Sequence, residues 1–288
     1  MGVCDIGMYS RSITESSKSA LVEVLRILAS YKDYLVLSGG WAPYFILEKF
    51  GVAGQHCGSI DIDFVLHPDL VDHKVYETIA SLIEKRGYSQ HVTEKGDVVP
   101  FRFHRTVKSA LDGVEHSIQV DFITEPEAAR RLSGEKFLEV QKDLQAVIIR
   151  GSGIVFSHNF GHTIEGVLPS GASTKAAASI SDIVGSLTTK GLALKGRYKE
   201  KDAYDIYFAL RHYRGGAKRV AEIVGAFTGE PVVAEALKEI RSKFETPRSE
   251  GPFQVAYFLA PGDGKLQERI QGEAHTILRL FFSNLKQI

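Results

Sequence analysis

Two aspartates set the first constraint on this chain. Within residues 60–66, the apolar Ile60, Ile62, Phe64 and Leu66 alternate with Asp61, Asp63 and Val65, which is the period-two pattern of a β-strand. Such a strand carries Asp61 and Asp63 on one face. A third acid, Asp121, interrupts the apolar Val120, Phe122 and Ile123 in another β-like segment, residues 116–123, which follows the turn signal Asp112-Gly113. Burying an unpaired carboxylate costs several kcal/mol, so acids in these positions require a metal, another cation or exposure at a strand end. For an isolated Asp-x-Asp, a strand face turned to water explains the pattern equally well.

The surrounding pattern is mixed. Residues 17–31 carry Leu21, Val22, Val24, Leu25, Ile27 and Leu28 at helical spacing. Tyr34, Leu35, Val36 and Leu37 then read as a short buried strand that stops at Ser38-Gly39-Gly40, after which residues 41–50 read as a helix. A helix over 71–86 is closed by Gly87, and β pieces follow at 98–103, 116–123, 146–149 and 154–156. Beyond Pro169-Ser170-Gly171 the periodicity becomes helical, with helices expected at 173–195, 200–213, 216–227, 231–244 and 265–285. A short apolar run at 253–259 is the remaining strand signal. These elements predict an α+β fold: a mixed β-sheet flanked by helices over residues 1–168, and a C-terminal helical domain over 169–288.

Length and composition exclude several classes. A chain of 288 residues and 31.8 kDa has room for one large domain or two ordinary ones. With 44% hydrophobic and 24% charged residues, it is neither disordered nor of low complexity. Lys plus Arg equals Asp plus Glu at 35 each, which rules out a strongly basic coat protein and requires any grip on a polyanion to come from local clustering. One such cluster spans residues 190–219, with nine Lys or Arg against three acids. The two cysteines, Cys4 and Cys57, form no Cys-x-x-Cys pair, so neither a disulfide framework nor a zinc knuckle is expected. The longest apolar stretch, 34–47, is broken by Ser38, Gly39, Gly40 and Pro43, short of the roughly 20 residues a membrane span needs. The N-terminus shows no secretory signal, and a cytoplasmic location is the expectation.

Three motifs carry a family resemblance. Leu37-Ser38-Gly39-Gly40, Gly58-Ser59-Ile60-Asp61-Ile62-Asp63-Phe64 and Val120-Asp121-Phe122, in that order, resemble the polymerase-β-type nucleotidyltransferase superfamily. The resemblance implies that Gly39 and Gly40, with Ser38 and Ser59, hold nucleotide phosphates. It also implies that Asp61 and Asp63 coordinate Mg²⁺, or Mn²⁺ in its place, and that Asp121 completes the metal site and helps to activate the attacking hydroxyl. A later run, Lys190, Arg197, then Lys201-Asp202-Ala203-Tyr204-Asp205, is similar to the AbiEii/AbiGii-type toxin nucleotidyltransferases. It implies that Lys190 and Asp205 are needed for activity, supplied by the helical half across a cleft, with Arg197, Lys201 and Asp202 also at the nucleotide.

Together the resemblances imply an enzyme that moves an NMP from an NTP to an acceptor hydroxyl. The acceptor would be an RNA (tRNA) end, with Arg130 and Arg131 also touching phosphates, as in a toxin of a toxin–antitoxin or phage-defence system with a cognate antitoxin. Trp41 stands where a Ser or Thr commonly follows the glycine pair, and a Gly-Gly-Trp start is shared with lincosamide and aminoglycoside nucleotidyltransferases. A small-molecule acceptor is therefore the alternative, and a non-catalytic nucleotide-binding module is another. His158 and His162 have i, i+4 spacing but lack the Glu of a zincin helix and read as loop or strand histidines. His56 and Cys57 read as loop content.

Overall fold

The computed structural model describes residues 4–53, 56–72, 77–125 and 136–285. The expected phosphate contacts of Arg130 and Arg131 lie outside them. The fold is mixed α+β: a central mixed sheet with flanking helices, and a helical C-terminal region. The strands are β1 (Leu35–Leu37), β2 (Asp61–Leu66), β3 (Ser89–Val92), β4 (Val98–Lys108), β5 (Glu115–Thr124), β6 (Phe137–Gln141), β7 (Leu144–Ile148), β8 (Asn159–Val167) and β9 (Ser173–Ser181). The helices are α1 (Arg11–Ile27), α2 (Trp41–Phe50), α3 (Ile79–Glu84), α4 (Ile183–Gly196), α5 (Glu200–His212), α6 (Gly216–Gly225), α7 (Pro231–Lys243), α8 (Glu250–Leu259) and α9 (Gly264–Asn284).

Two compact units divide the chain, one of residues 11–41 and 59–181, the other of 1–10, 42–58 and 182–288. In the first, the strands run in the order β3-β4-β5-β2-β1-β9-β8. β2 and β5 are parallel neighbours, while β4 lies antiparallel on the other edge of β5, where β7 takes over at Ile123 and Thr124. Strand alternation then sorts the side chains. Ile62, Phe64, Phe103, Val120 and Phe122 are fully buried on one face, where Phe64 stacks on Phe122 at 6.3 Å and Phe103 meets Phe122 edge-on at 6.0 Å. Helix α1 packs on β2, β4, β5, β8 and β9 through its buried stripe of Ala20, Leu21, Val24 and Leu25. Its Glu23 pairs with Arg105, which lies on the Phe103 side of β4. The opposite face is left to the polar residues of the same strands.

The second unit is helical. Asp182 caps α4 by accepting from the N–H groups of Val184 (2.8 Å) and Gly185 (3.0 Å). Helices α4 and α7 approach closely at Gly191, where a Cβ would stand 2.8 Å from the carbonyl oxygen of Ala236. Tyr204 lies 4.6 Å from Phe258 and 5.0 Å from Phe208 between ring centroids, forming an aromatic core between α5 and α8. Among the described residues no helix is long and apolar enough to cross a membrane.

Several elements depart from the sequence-based expectation. Residues 173–181 form a strand rather than the start of a helix: the alanine-rich 176–178 suggests helix, but Ala176, Ala178 and Ile180 alternate with more exposed neighbours and pair along β8. The boundary expected at 168 falls in the β8–β9 turn. The helical unit begins at Asp182 and includes residues 42–58, which a linear division at 168 does not allow. Residues 154–156 belong to a short 3₁₀ helix, Ser152–Phe156, and residues 253–259 to helix α8.

Since Phe122 fills the space between Phe64 and Phe103, Phe122→Ala should lower unfolding stability by about 3–5 kcal/mol. Urea denaturation followed by circular dichroism measures that loss; a change below about 1 kcal/mol would contradict this packing.

Candidate active site

The polar face of the first unit is assembled by register. In the parallel β2–β5 pair, Asp61 stands opposite Gln119 and Asp63 opposite Asp121. On the antiparallel neighbour, Arg102 stands opposite Asp121 and His104 opposite Gln119. All six residues have the parity opposite to the buried aromatics, so two strands of acids and one basic strand share a face.

Arg102 holds Asp121 through a two-point grip. Its Nε donates to Oδ1 at 2.8 Å and its Nη2 to Oδ2 at 2.7 Å, while Gln119 Nε2 also donates to Oδ2 at 2.9 Å. This fork geometry matches guanidinium to carboxylate. The Arg102 guanidinium is held above its ordinary pKa by the Asp121 hydrogen bonds, with Asp61 and Asp63 adding to the effect through their charges. Burial pushes the Asp121 carboxyl above the usual range; Arg102 offsets part of that, and the charge of Asp61 adds to it. Asp61, Asp63, Asp121 and Arg102 thus share one electrostatic environment.

The glycine turn abuts this face. The Ser38 N–H donates to the Asp63 carbonyl at 2.9 Å, carrying the β1–β2 pairing into the turn. Gly39 follows with φ at +61°, and a Cβ there would lie 1.8 Å from Oδ2 of Asp63. Glycine is required twice over, for the left-handed backbone and for room beside the carboxylate. Ser38 and Ser59 are buried, and so is Gly40. Trp41 is also buried, with its Nε1 donating to Ser17 Oγ of α1 at 3.2 Å, so it belongs to the core of this unit.

The donor set suits a hard dication in chemistry and charge: three carboxylates, with a guanidinium already standing in as the local cation. Among the described residues no three His, Cys, Asp or Glu side chains form a ready-made metal site. Both oxygens of Asp121 are engaged by Arg102 in this arrangement.

In the helical unit, Lys190 of α4 lies within 2.7 Å of Asp202 Oδ1 and 2.8 Å of Asp205 Oδ2, two of the three acids of α5. Lys201 pairs with Asp205 four residues on, and Arg197 grips Asp202 through Nε at 2.8 Å and Nη2 at 3.2 Å. Burial alone would lower the Lys190 pKa, but Asp202 and Asp205 more than reverse this and hold it well above the ordinary lysine range. Burial alone would raise Asp202 and Asp205; Lys190 with Arg197, and Lys190 with Lys201, hold them below the usual carboxylate range. Lys190 and Lys201 are buried, whereas the Arg197 side chain is 54% exposed and is the member of the network that reaches solvent.

The local excess of positive charge over 190–219 is smaller in space than in sequence, because Lys195 pairs with Glu235 and Glu239, Arg211 with Glu273, and Arg219 with Glu222.

Residue-by-residue reading of the sequence did not single out Arg102, Gln119 or His56. Arg102 lies in an expected strand, but only the β4–β5 register reveals its partner. His56 is fully buried: Gly58 N–H donates to its Nδ1 at 3.1 Å, which puts the ring proton on Nε2, and Nε2 donates to Asp205 Oδ1 at 3.0 Å. The order Tyr204, Asp205 and Phe208 on one side of α5 supplies both the acid and the rings around the imidazole. His158 is buried and His162 lies on β8.

Comparison with known protein families and with curated proteins gave no match. Among solved structures, the chain is similar to MenT4, a nucleotidyltransferase toxin from Mycobacterium tuberculosis H37Rv. The identity is 14% over 95% of this chain and 89% of that one, with a TM-score of 0.38. Values this low carry no activity from one chain to the other.

Burial lowers the His56 pKa from 6.5 to about 4, with the nearby Lys201 charge acting in the same direction. Below pH 6.5 the unfolded chain therefore takes up a proton that the folded chain refuses, and stability falls as pH drops toward about 4. The loss should approach about 3 kcal/mol relative to His56→Gln, which keeps an N–H donor for Asp205 without a titrating ring. Parallel stability curves for the two proteins between pH 7 and 4 would show that this histidine is not buried neutral.

Proposed function

We propose that this protein is a Mg²⁺-dependent nucleotidyltransferase that moves an NMP from an NTP to an acceptor hydroxyl. The observation that carries the proposal is the registered acidic face: Asp61 and Asp63 beside Asp121, backed by a turn in which Gly39 leaves room for the Asp63 carboxylate and nothing larger than hydrogen. Bound there, the metal would supply charge neutralisation for a triphosphate. Asp61 and Asp63 would hold it, and Mn²⁺ would fit the same donors. Ser38, Gly39, Gly40 and Ser59 line the turn side for phosphate. The acceptor oxygen bonds to the α-phosphorus as the bond to the bridging oxygen of the β-phosphate breaks, and pyrophosphate leaves. Asp121, pushed above the usual carboxylate range, would be the group suited to take the acceptor's proton once Arg102 releases one of its oxygens.

In the helical unit we assign Arg197 to contact with an anionic ligand, since its guanidinium is exposed and Asp202 fixes it. Lys190, Lys201 and His56 act as positioning residues through Asp202 and Asp205, which shifts Lys190 from direct phosphate contact to support. The acceptor we favour is an RNA end, as the likeness to the AbiEii-type toxins implies, with a cognate antitoxin as the accompanying partner. A small hydroxylated acceptor, which the Gly-Gly-Trp start implies, is the second reading, with Trp41 itself buried in the core.

The purified chain incubated with each α-labelled NTP, MgCl₂ and total RNA should label RNA. Asp61→Asn and Asp63→Asn should each lower the rate by at least about a hundredfold without loss of fold. Full transfer by both variants, or labelling that persists in EDTA, would overturn the assignment. Transfer to RNA should also fall steeply between 50 and 200 mM salt, in the manner of a contact with several phosphates. A rate indifferent to salt would favour a small hydroxylated acceptor.

A further inference from the structure

We infer that Arg102 is a latch on the third carboxylate: its guanidinium occupies Asp121 and competes with a divalent cation for it, so that Asp121 joins the metal site only when Arg102 lets go. The inference rests on the reading of Asp61 and Asp63 as metal-holding residues and adds a residue that no motif marks. Both carboxylate oxygens of Asp121 accept hydrogen bonds on the shared face. Oδ1 receives Arg102 Nε, and Oδ2 receives Arg102 Nη2 and Gln119 Nε2. A carboxylate held in a two-point fork has two of its roughly four lone-pair positions committed to the guanidinium, whose positive charge also opposes an approaching cation.

Strand register places the pair directly opposite each other on β4 and β5, so the fork is built into the sheet rather than made by a wandering side chain. The Arg102 side chain is nonetheless 30% exposed, against 10% for Asp121. The guanidinium therefore has a route to water, while the carboxylate stays in place. Phe101 gives it an aromatic surface 5.4 Å from the ring centroid, a contact that needs no acid. The latch also explains why three acids on neighbouring strands are tolerated: Arg102 feels Asp61 and Asp63 as well as Asp121 and offsets part of their mutual repulsion.

Mn²⁺ binding to the full-length protein, read by electron paramagnetic resonance without nucleotide, tests the latch apart from catalysis. Arg102→Gln should bind Mn²⁺ at least tenfold more tightly than the parent chain. Asp121→Asn, which removes a negative charge and the target of the latch together, should bind Mn²⁺ no more tightly than the parent chain, and should abolish the gain when combined with Arg102→Gln. Arg102→Lys, which keeps the charge but loses the fork, should show a smaller gain and serves if the Gln variant does not fold.

A gain that survives Asp121→Asn would mean that Arg102 acts only through its field, and would overturn the latch. Mn²⁺ binding that requires Asp61 and Asp63 but is unchanged by either Arg102 substitution would also overturn it, leaving the metal reading intact. No Mn²⁺ binding by any of these proteins would remove both.

Discussion

The constraint on which this molecule turns is the in-register placement of like charges on adjacent parallel strands. Neighbouring strands lie about 5 Å apart, and two unit charges at that separation repel by roughly 3 kcal/mol at an effective dielectric constant near 20. Asp63 and Asp121 are held in that relation by β2 and β5, with Asp61 one alternation away. A fold of ordinary marginal stability does not keep such a cost without compensation. Arg102 supplies part of it from β4, and the aromatic layer of Phe64, Phe103 and Phe122 on the reverse face fixes the register against slippage. One face of the sheet thus provides the stability that permits the other to be electrostatically frustrated.

The two units solve their charge problems with opposite signs. In the sheet unit, three carboxylates share a face with one guanidinium. In the helical unit, Lys190, Lys201 and Arg197 face Asp202 and Asp205, with His56 held neutral, leaving an excess of positive charge suited to an anion. A chain whose formal charge is zero therefore contains one acidic and one basic local environment. The residues differ in solvent access as well. Lys190 and Lys201 are committed to burial, and the exposed charge of the basic network rests on Arg197. Its planar fork pins it to Asp202 more firmly than a lysine could be held.

Much of this was legible in the sequence, and what was not has a physical reason. Alternation around Asp61 and Asp63 specifies a strand face because side-chain direction depends only on local backbone geometry. The Lys201–Asp205 pair follows from helix spacing alone. Which acid lies beside which, and that Arg102 meets Asp121, depends on pairing between strands distant in sequence, which no local pattern encodes. Strand β9 was hidden because alanine favours helix on its own, whereas pairing with β8 decides its conformation. His56 looked like loop content since its partners, Asp205 and Gly58, give it a role only once α5 lies against residues 56–58.

The acids of the sheet unit are not equivalent, and the difference determines where reorganisation can occur. Asp63 is fixed through its backbone by Ser38 and faces the turn at Gly39, where any added side chain would displace its carboxylate. Preorganised charge is the most effective kind at a reacting centre, because nothing further has to be ordered when the reaction takes place. Asp121 is held just as firmly, but by a partner that carries a positive charge and has access to water. A change in local charge that competes with Arg102 therefore acts first on Asp121, its hydrogen-bonding partner, while Asp63 keeps the position its turn dictates. Sheet geometry thereby separates a carboxylate fixed through its backbone from one held through a side chain, although both are aspartates one strand apart.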